Sequence, residues 1–88
     1  MPDNASNYTG EVITVTTATT QLVPLNANRN ALILFNQGTE NAKVFFQADD
    51  TVYFVLESGK GMYFPHVPMN RIQAKVDSGS TAVTVMEG

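Results

Sequence analysis

The chain cannot run far in any one conformation. Turn-forming clusters interrupt it every 8–12 residues: Pro24 with Asn26 and Asn28, Gln37-Gly38, Ala48-Asp49-Asp50, Ser58-Gly59-Lys60-Gly61, Pro65 to Pro68, and Asp77-Ser78-Gly79-Ser80. Gly opens turn conformations closed to other residues, Pro fixes φ and withholds a donor, and Asn, Asp and Ser bond back to nearby backbone. No stretch between these breaks sustains a helical spacing of apolar residues. What lies between them are short runs rich in Val, Ile, Thr and Phe: Glu11–Thr17, Gln21–Val23, Arg29–Asn36, Ala42–Gln47, Val52–Leu56, Met62–Phe64, Asn70–Val76 and Thr81–Met86. The pattern predicts an all-β fold, a single small β-sandwich or jelly-roll-like domain of about 7–8 short antiparallel strands. Residues 1–10 show no periodicity and read as a flexible N-terminal arm. Residues 11–88 read as the β-sandwich domain.

The runs fall into two kinds. Toward the ends of the chain they alternate: Ile13 and Val15 against Val12 and Thr14, Ile72, Ala74 and Val76 against Arg71, Gln73 and Lys75, Val83 and Val85 against Ala82 and Thr84. These are strands with one wet face. The middle of the chain is apolar on both sides. Ala31, Ile33 and Phe35 are opposed by Leu32 and Leu34, Val44 and Phe46 by Phe45, Val52, Phe54 and Leu56 by Tyr53 and Val55, Met62 and Phe64 by Tyr63. One side must line the core. Leaving the other wet would forfeit roughly 1.5–3 kcal/mol per large side chain and expose a patch that soluble monomers rarely carry. The expectation is a subunit interface built from Leu32, Leu34, Phe45, Tyr53, Val55 and Tyr63. The competing reading is cover by long loops, or a tight barrel with a scattered apolar exterior.

Composition narrows the function. Net charge is −3 with only five Lys and Arg, whereas a nucleic-acid binder needs a dense basic patch. Charged residues are 15% of the chain, against a typical ~25%. Thr, Asn, Ser and Gln supply the polar surface instead, and such a surface is easily desolvated against a neighbour. There is no cysteine, hence no disulfide and no thiolate metal site. No apolar run reaches the ~18 residues of a membrane span, and the sequence MPDNASNYTG lacks the basic-then-apolar order of a signal peptide.

Residues able to do chemistry are few. His66, between Pro65 and Pro68, has no nucleophile or orienting partner near it in sequence, which a general base needs. Asp49-Asp50 falls short of the oxygen count of a Ca²⁺ loop. Ser58-Gly59-Lys60-Gly61 lacks the frame of a phosphate loop and has no helix after it. Each reads as a turn or contact residue. Asn4-Ala5-Ser6 and Asn7-Tyr8-Thr9 match the glycosylation sequon without a secretory context. Arg29 and Arg71, each beside an Asn, read equally as braces for turns and as interface anchors. No cofactor, metal or catalytic residue is expected, and no enzyme.

Three stretches carry a resemblance. They are Val12-Ile13-Thr14-Val15-Thr16-Thr17 followed by Thr20-Gln21-Leu22-Val23, then Asn28-Arg29 leading into Leu32-Ile33-Leu34-Phe35-Asn36-Gln37-Gly38, and last Pro68-Met69-Asn70-Arg71-Ile72 with Asp77-Ser78-Gly79-Ser80-Thr81 and Val83-Thr84-Val85-Met86-Glu87-Gly88. Their order resembles the small β-sandwich decoration, or cement, proteins of tailed bacteriophages. A Pro-Gly type turn expected before the sixth run is replaced by Leu56 to Gly61, which leaves the pairing of 52–56 with 62–64 open. The resemblance implies a virion protein on the capsid surface, made in the host bacterial cytoplasm. Its partner would be the major capsid protein, with neither nucleic acid nor membrane involved, and it would act as a homo-oligomer, a trimer, that stabilises the shell. The capsid contacts expected on this reading are Tyr8, Thr9, His66, Val67 and Arg71. The alternative is a phage tail or fibre component, or a host-surface binding module.

Overall fold

The computed structural model describes residues 8–47, 49, 51–64 and 66–88. Among them are eight strands and no helix: β1 (Thr9–Val15), β2 (Thr20–Val23), β3 (Leu32–Asn36), β4 (Ala42–Phe45), β5 (Phe54–Leu56), β6 (Gly61–Tyr63), β7 (Ile72–Lys75) and β8 (Thr81–Glu87). They form two four-stranded sheets, ordered β1-β8-β3-β6 and β2-β7-β4-β5. Every pairing is antiparallel. The molecule is a small all-β sandwich, as the turn spacing predicts.

Each predicted run yields one strand, and the differences in extent have local causes. β1 starts at Thr9, paired with Glu87, so the last residues of the expected arm belong to the sheet. Residues 1–7, including both sequon asparagines, lie outside the described residues. β3 starts at Leu32 instead of Arg29. The chain before it is turned, with Arg29 N donating to Asn26 O at 3.4 Å and Asn28 N to Asn26 Oδ1 at 2.9 Å. β5 keeps only three residues, because Asp49 Oδ1 accepts both Thr51 N and Thr51 Oγ1, at 2.9 and 2.6 Å, and holds the approach in a turn. β5 and β6 are not paired. The turn at Glu57–Lys60, with Gly59 at φ 77°, carries the chain from one sheet to the other.

Alternation decides which residues meet between the sheets. Val15, Leu32, Leu34, Val83 and Val85 face inward from the first sheet, and Leu22, Ala42, Val44, Leu56, Ile72 and Ala74 from the second. In β2 both Leu22 and Val23 are buried, where the ladder to β7 slips by one residue between Gln21 and Val23.

This arrangement corrects part of the predicted interface. Leu32 and Leu34 are 1% and 0% exposed and belong to the core, and the outward side of β3 is Ile33 and Phe35. Phe45 is also covered within the single chain, at 1% exposure. These three are therefore removed from any surface. In a strand apolar on both sides, hydrophobicity gives the period but not its phase.

Polar side chains brace the sandwich from inside. Asn36, fully buried, donates from Nδ2 to Glu40 O and Leu56 O at 2.7 and 2.9 Å. Its Oδ1 accepts from Gly38 N and Thr81 Oγ1, at 3.1 and 2.7 Å. Gly38 passes so close to β8 that a Cβ there would stand 2.0 Å from Thr81 Oγ1 and 2.7 Å from Ala82 N. At the other end, the buried Arg29 guanidinium donates from Nε to Glu87 Oε2 at 2.6 Å and from Nη2 to Pro24 O at 2.6 Å. Its Nη1 donates to Asn70 O at 3.2 Å and also to Pro68 O. Among the described residues no buried side-chain polar atom lacks a partner. Of the two roles open to Arg29, the structure shows the brace.

Candidate protein-binding surfaces

The outward faces of the two sheets differ in kind. On the first, the register aligns Gly10, Met86, Ile33 and Tyr63 in one row and Val12, Thr84, Phe35 and Gly61 in the next. Thr14 and Ala82 follow. None of these residues is charged. Val12 is 57% exposed, Phe35 41%, Tyr63 73% and Met86 37%. The face is also flattened. A Cβ on Gly61 would meet Phe35 Cδ1 at 3.3 Å, and one on Gly10 would meet Met86 Cγ at 3.3 Å. The large side chains thus lie across the glycine positions of neighbouring strands instead of standing off the sheet.

The second outward face carries charge. Lys43, Arg71 and Lys75 occur on its side of β4 and β7, which is three of the five cationic residues of the chain. Lys43 and Lys75 are direct cross-strand partners, a repulsive placement. Asp77 relieves it, with Oδ1 at 2.8 Å from Lys43 Nζ. Lys43 Nζ also stands 5.0 Å from the centre of the Tyr53 ring. Val55 is opposite Lys43 across the β4–β5 pair. Of the predicted interface, Tyr53, Val55 and Tyr63 remain on the surface, the first two on this face and Tyr63 on the other. Phe46 packs against Phe54 in a tilted pair and edge-on against Phe64, with ring centres 5.2 and 5.7 Å apart.

Two grooves lie at the end of the sandwich that Arg29 braces. Leu25, Phe46, Met69 and Arg71 line a shallow groove of about 450 Å³, with Gln47 and Gln73 on its wall. Leu25 and Met69 are largely exposed. Arg71 is exposed and makes no hydrogen bond or ion pair among the described residues. On the other side of the 24–25 loop, Pro24 and Thr9 line a second groove. Tyr8 is 45% exposed and His66 is exposed, whereas Val67 is half-buried and packs on the core. Thr9 and Arg71 thus border separate grooves, and Val67 is anchored on the core.

Charge chemistry is sparse. The Asp49 carboxyl is held below the usual aspartate range by the hydroxyl of Thr51, then by the Thr51 backbone N–H. Among the described residues no group of His, Asp and Glu is placed to hold a metal ion, and Asp50 lies outside them. His66 makes no hydrogen bond among the described residues. Sequence reasoning missed Asn36, Thr81 and Glu87 as braces. Only the Asn in an otherwise apolar run was a signal, and it reads more readily as the wet end of a strand. No protein-family model matches the chain, and no curated protein or solved structure does.

Proposed function

We propose that this chain is a structural virion protein that binds the exterior of a phage capsid and stabilises contacts between capsid subunits. The observation that carries the reading is the bare, uncharged outer face of β1-β8-β3-β6 on so small a domain. An apolar patch of that kind marks a surface that another protein covers. The capsid enters through the resemblance in segment order across residues 12–88. The Arg29-braced end supports it, because Thr9 is paired into β1 with the exposed Tyr8 beside it, and Arg71 follows a 68–70 loop whose carbonyls Arg29 holds. Pre-fixed loops lose little entropy on docking. Contacts that are individually weak gain by repetition around a shell.

The test is co-sedimentation with capsids assembled from the major capsid protein of the genome that encodes this chain. Saturable binding at a fixed ratio to capsid subunits is expected, weakened at least tenfold by Arg71→Glu. Absence of binding, with the gene lying among tail genes, overturns the reading in favour of a tail, fibre or host-surface module. The exposed Tyr63 and Tyr53 are what that second reading has in its support, and retention on a glycan array would establish it.

A further inference from the structure

We propose that the groove beside Arg71 binds an extended segment of a partner protein, one that carries an acidic side chain among large apolar ones. The groove is held open by its own backbone. Leu25 and Met69 line it at 73% and 56% exposure, yet the chain on either side of them is fixed. Pro24 O, before Leu25, accepts from Arg29 Nη2. Pro68 O and Asn70 O, on either side of Met69, accept from Arg29 Nη1. Asn26 N donates to Met69 O at 3.0 Å and joins the two segments. Asn70 Nδ2 donates to Phe46 O at 3.1 Å and ties them to the end of β4. Large apolar side chains presented on a fixed backbone lose little entropy when a partner covers them.

The polar groups define the partner's chemistry. Arg71 makes no hydrogen bond or ion pair among the described residues, and a free guanidinium pairs with a carboxylate through two parallel bonds. The side chains of Gln47 and Gln73, which also line the groove, make no hydrogen bond there either. Each offers a donor and an acceptor, the pair that a peptide group requires. Capture of a chain's terminal carboxylate uses a nest of backbone N–H groups with one residue at positive φ. Among the described residues only Gly59 and Gly79 have positive φ, and both belong to other turns. The acidic group is therefore a side chain of a segment that passes across the groove. A smaller hollow of about 150 Å³, lined by Val52, Tyr53 and Phe54, shares Phe46 and Gln47 with the first. Two apolar hollows joined in this way suit an extended segment, whose side chains return to the same side at every second residue. The site is separate from the uncharged outer face of β1-β8-β3-β6, and the proposal holds whether or not the partner is a capsid protein.

The experiment offers the immobilised full chain two libraries of seven-residue peptides, blocked at both ends and random except at the centre. One library has Glu at the centre and the other Gln. The Glu library should be retained about fivefold better, the size of one exposed charge contact, with large apolar residues enriched within two positions of the Glu. Arg71→Gln should erase the preference for Glu, and Leu25→Ser the apolar enrichment, both with unchanged circular dichroism spectra. Met69→Ser is the second variant, should Leu25→Ser fail to fold. Retention of neither library overturns the proposal, and so does equal retention of both. A preference for Glu that survives Arg71→Gln would overturn it too. The peptides include no assembled shell, so this result and the co-sedimentation result can fail separately.

Discussion

Phe35 and Phe45 occupy equivalent places. Each projects outward from the third strand of its sheet, β3 in one and β4 in the other. Yet Phe35 is 41% exposed and Phe45 only 1%. Their cross-strand neighbours differ in size. Phe35 is paired with Gly61 and Thr84, which are too short to cover a ring. Phe45 is paired with Gln73 and shares its side of β4 with Lys43, and long polar stems can lie along apolar surface while their heads stay wet. The same contrast separates the uncharged outer face of β1-β8-β3-β6 from the outer face that carries Lys43 and Lys75.

The contrast is most easily broken by truncating the two rings. Phe45→Ala should cost about 3–5 kcal/mol, as a buried aromatic does. Phe35→Ala should cost less than about 1 kcal/mol, within the range of surface substitutions. Urea unfolding of both variants at a concentration where the chain is monomeric measures the difference, and equal losses would abolish the distinction between the faces. A smaller effect sharpens it. Asp77→Asn removes the carboxylate beside Lys43 and should cost about 0.2–1 kcal/mol, less at high salt. Val12→Thr on the neutral face should show no change with salt, and a salt-sensitive Val12→Thr would mean that charges reach that face.

The smallest effect concerns pH at the edge of the charged sheet. The Asp49 carboxyl is lowered on folding by the Thr51 hydroxyl and backbone N–H. A lowered folded value contributes stability above the unfolded aspartate range, and that contribution disappears as pH falls through the folded value. Thr51→Val should move the Asp49 titration, followed by NMR of its carboxyl carbon, up toward the ordinary value. An unmoved titration would assign the shift to the backbone donor alone.

The contrast also marks how far the sequence could be read. Strands with one wet face, such as Ile72-Gln73-Ala74-Lys75, announce both their existence and their inward residues. β3 announces only its existence. Leu32-Ile33-Leu34-Phe35 is apolar at every position, so the one polar marker nearby is Asn36, two residues beyond Leu34. It points the wrong way. Asn36 looks like a solvent-facing residue in phase with Leu32 and Leu34, but it is buried, with its side-chain bonds closed by Glu40, Leu56, Gly38 and Thr81. Those partners are up to 45 residues away in the chain, beyond any local pattern. Arg29, beside an Asn, was legible equally as a brace and as an interface anchor. Its partner Glu87 lies 58 residues away, and no periodicity could supply it.

The position of β8 bears on how the molecule is made. The last strand lies between β1 and β3, so the first sheet has no centre until residues 81–87 have been synthesised. The same holds in milder form for β7, which separates β2 from β4. Early strands must therefore wait without their partners, and nearly every pairing closes a long loop. Chains of such high contact order fold in roughly milliseconds to seconds, and β3, the most apolar strand, spends that interval with its β8 edge unpaired. A nascent chain stalled before Thr81 would be a hazard to its neighbours, and its rescue would fall to chaperones.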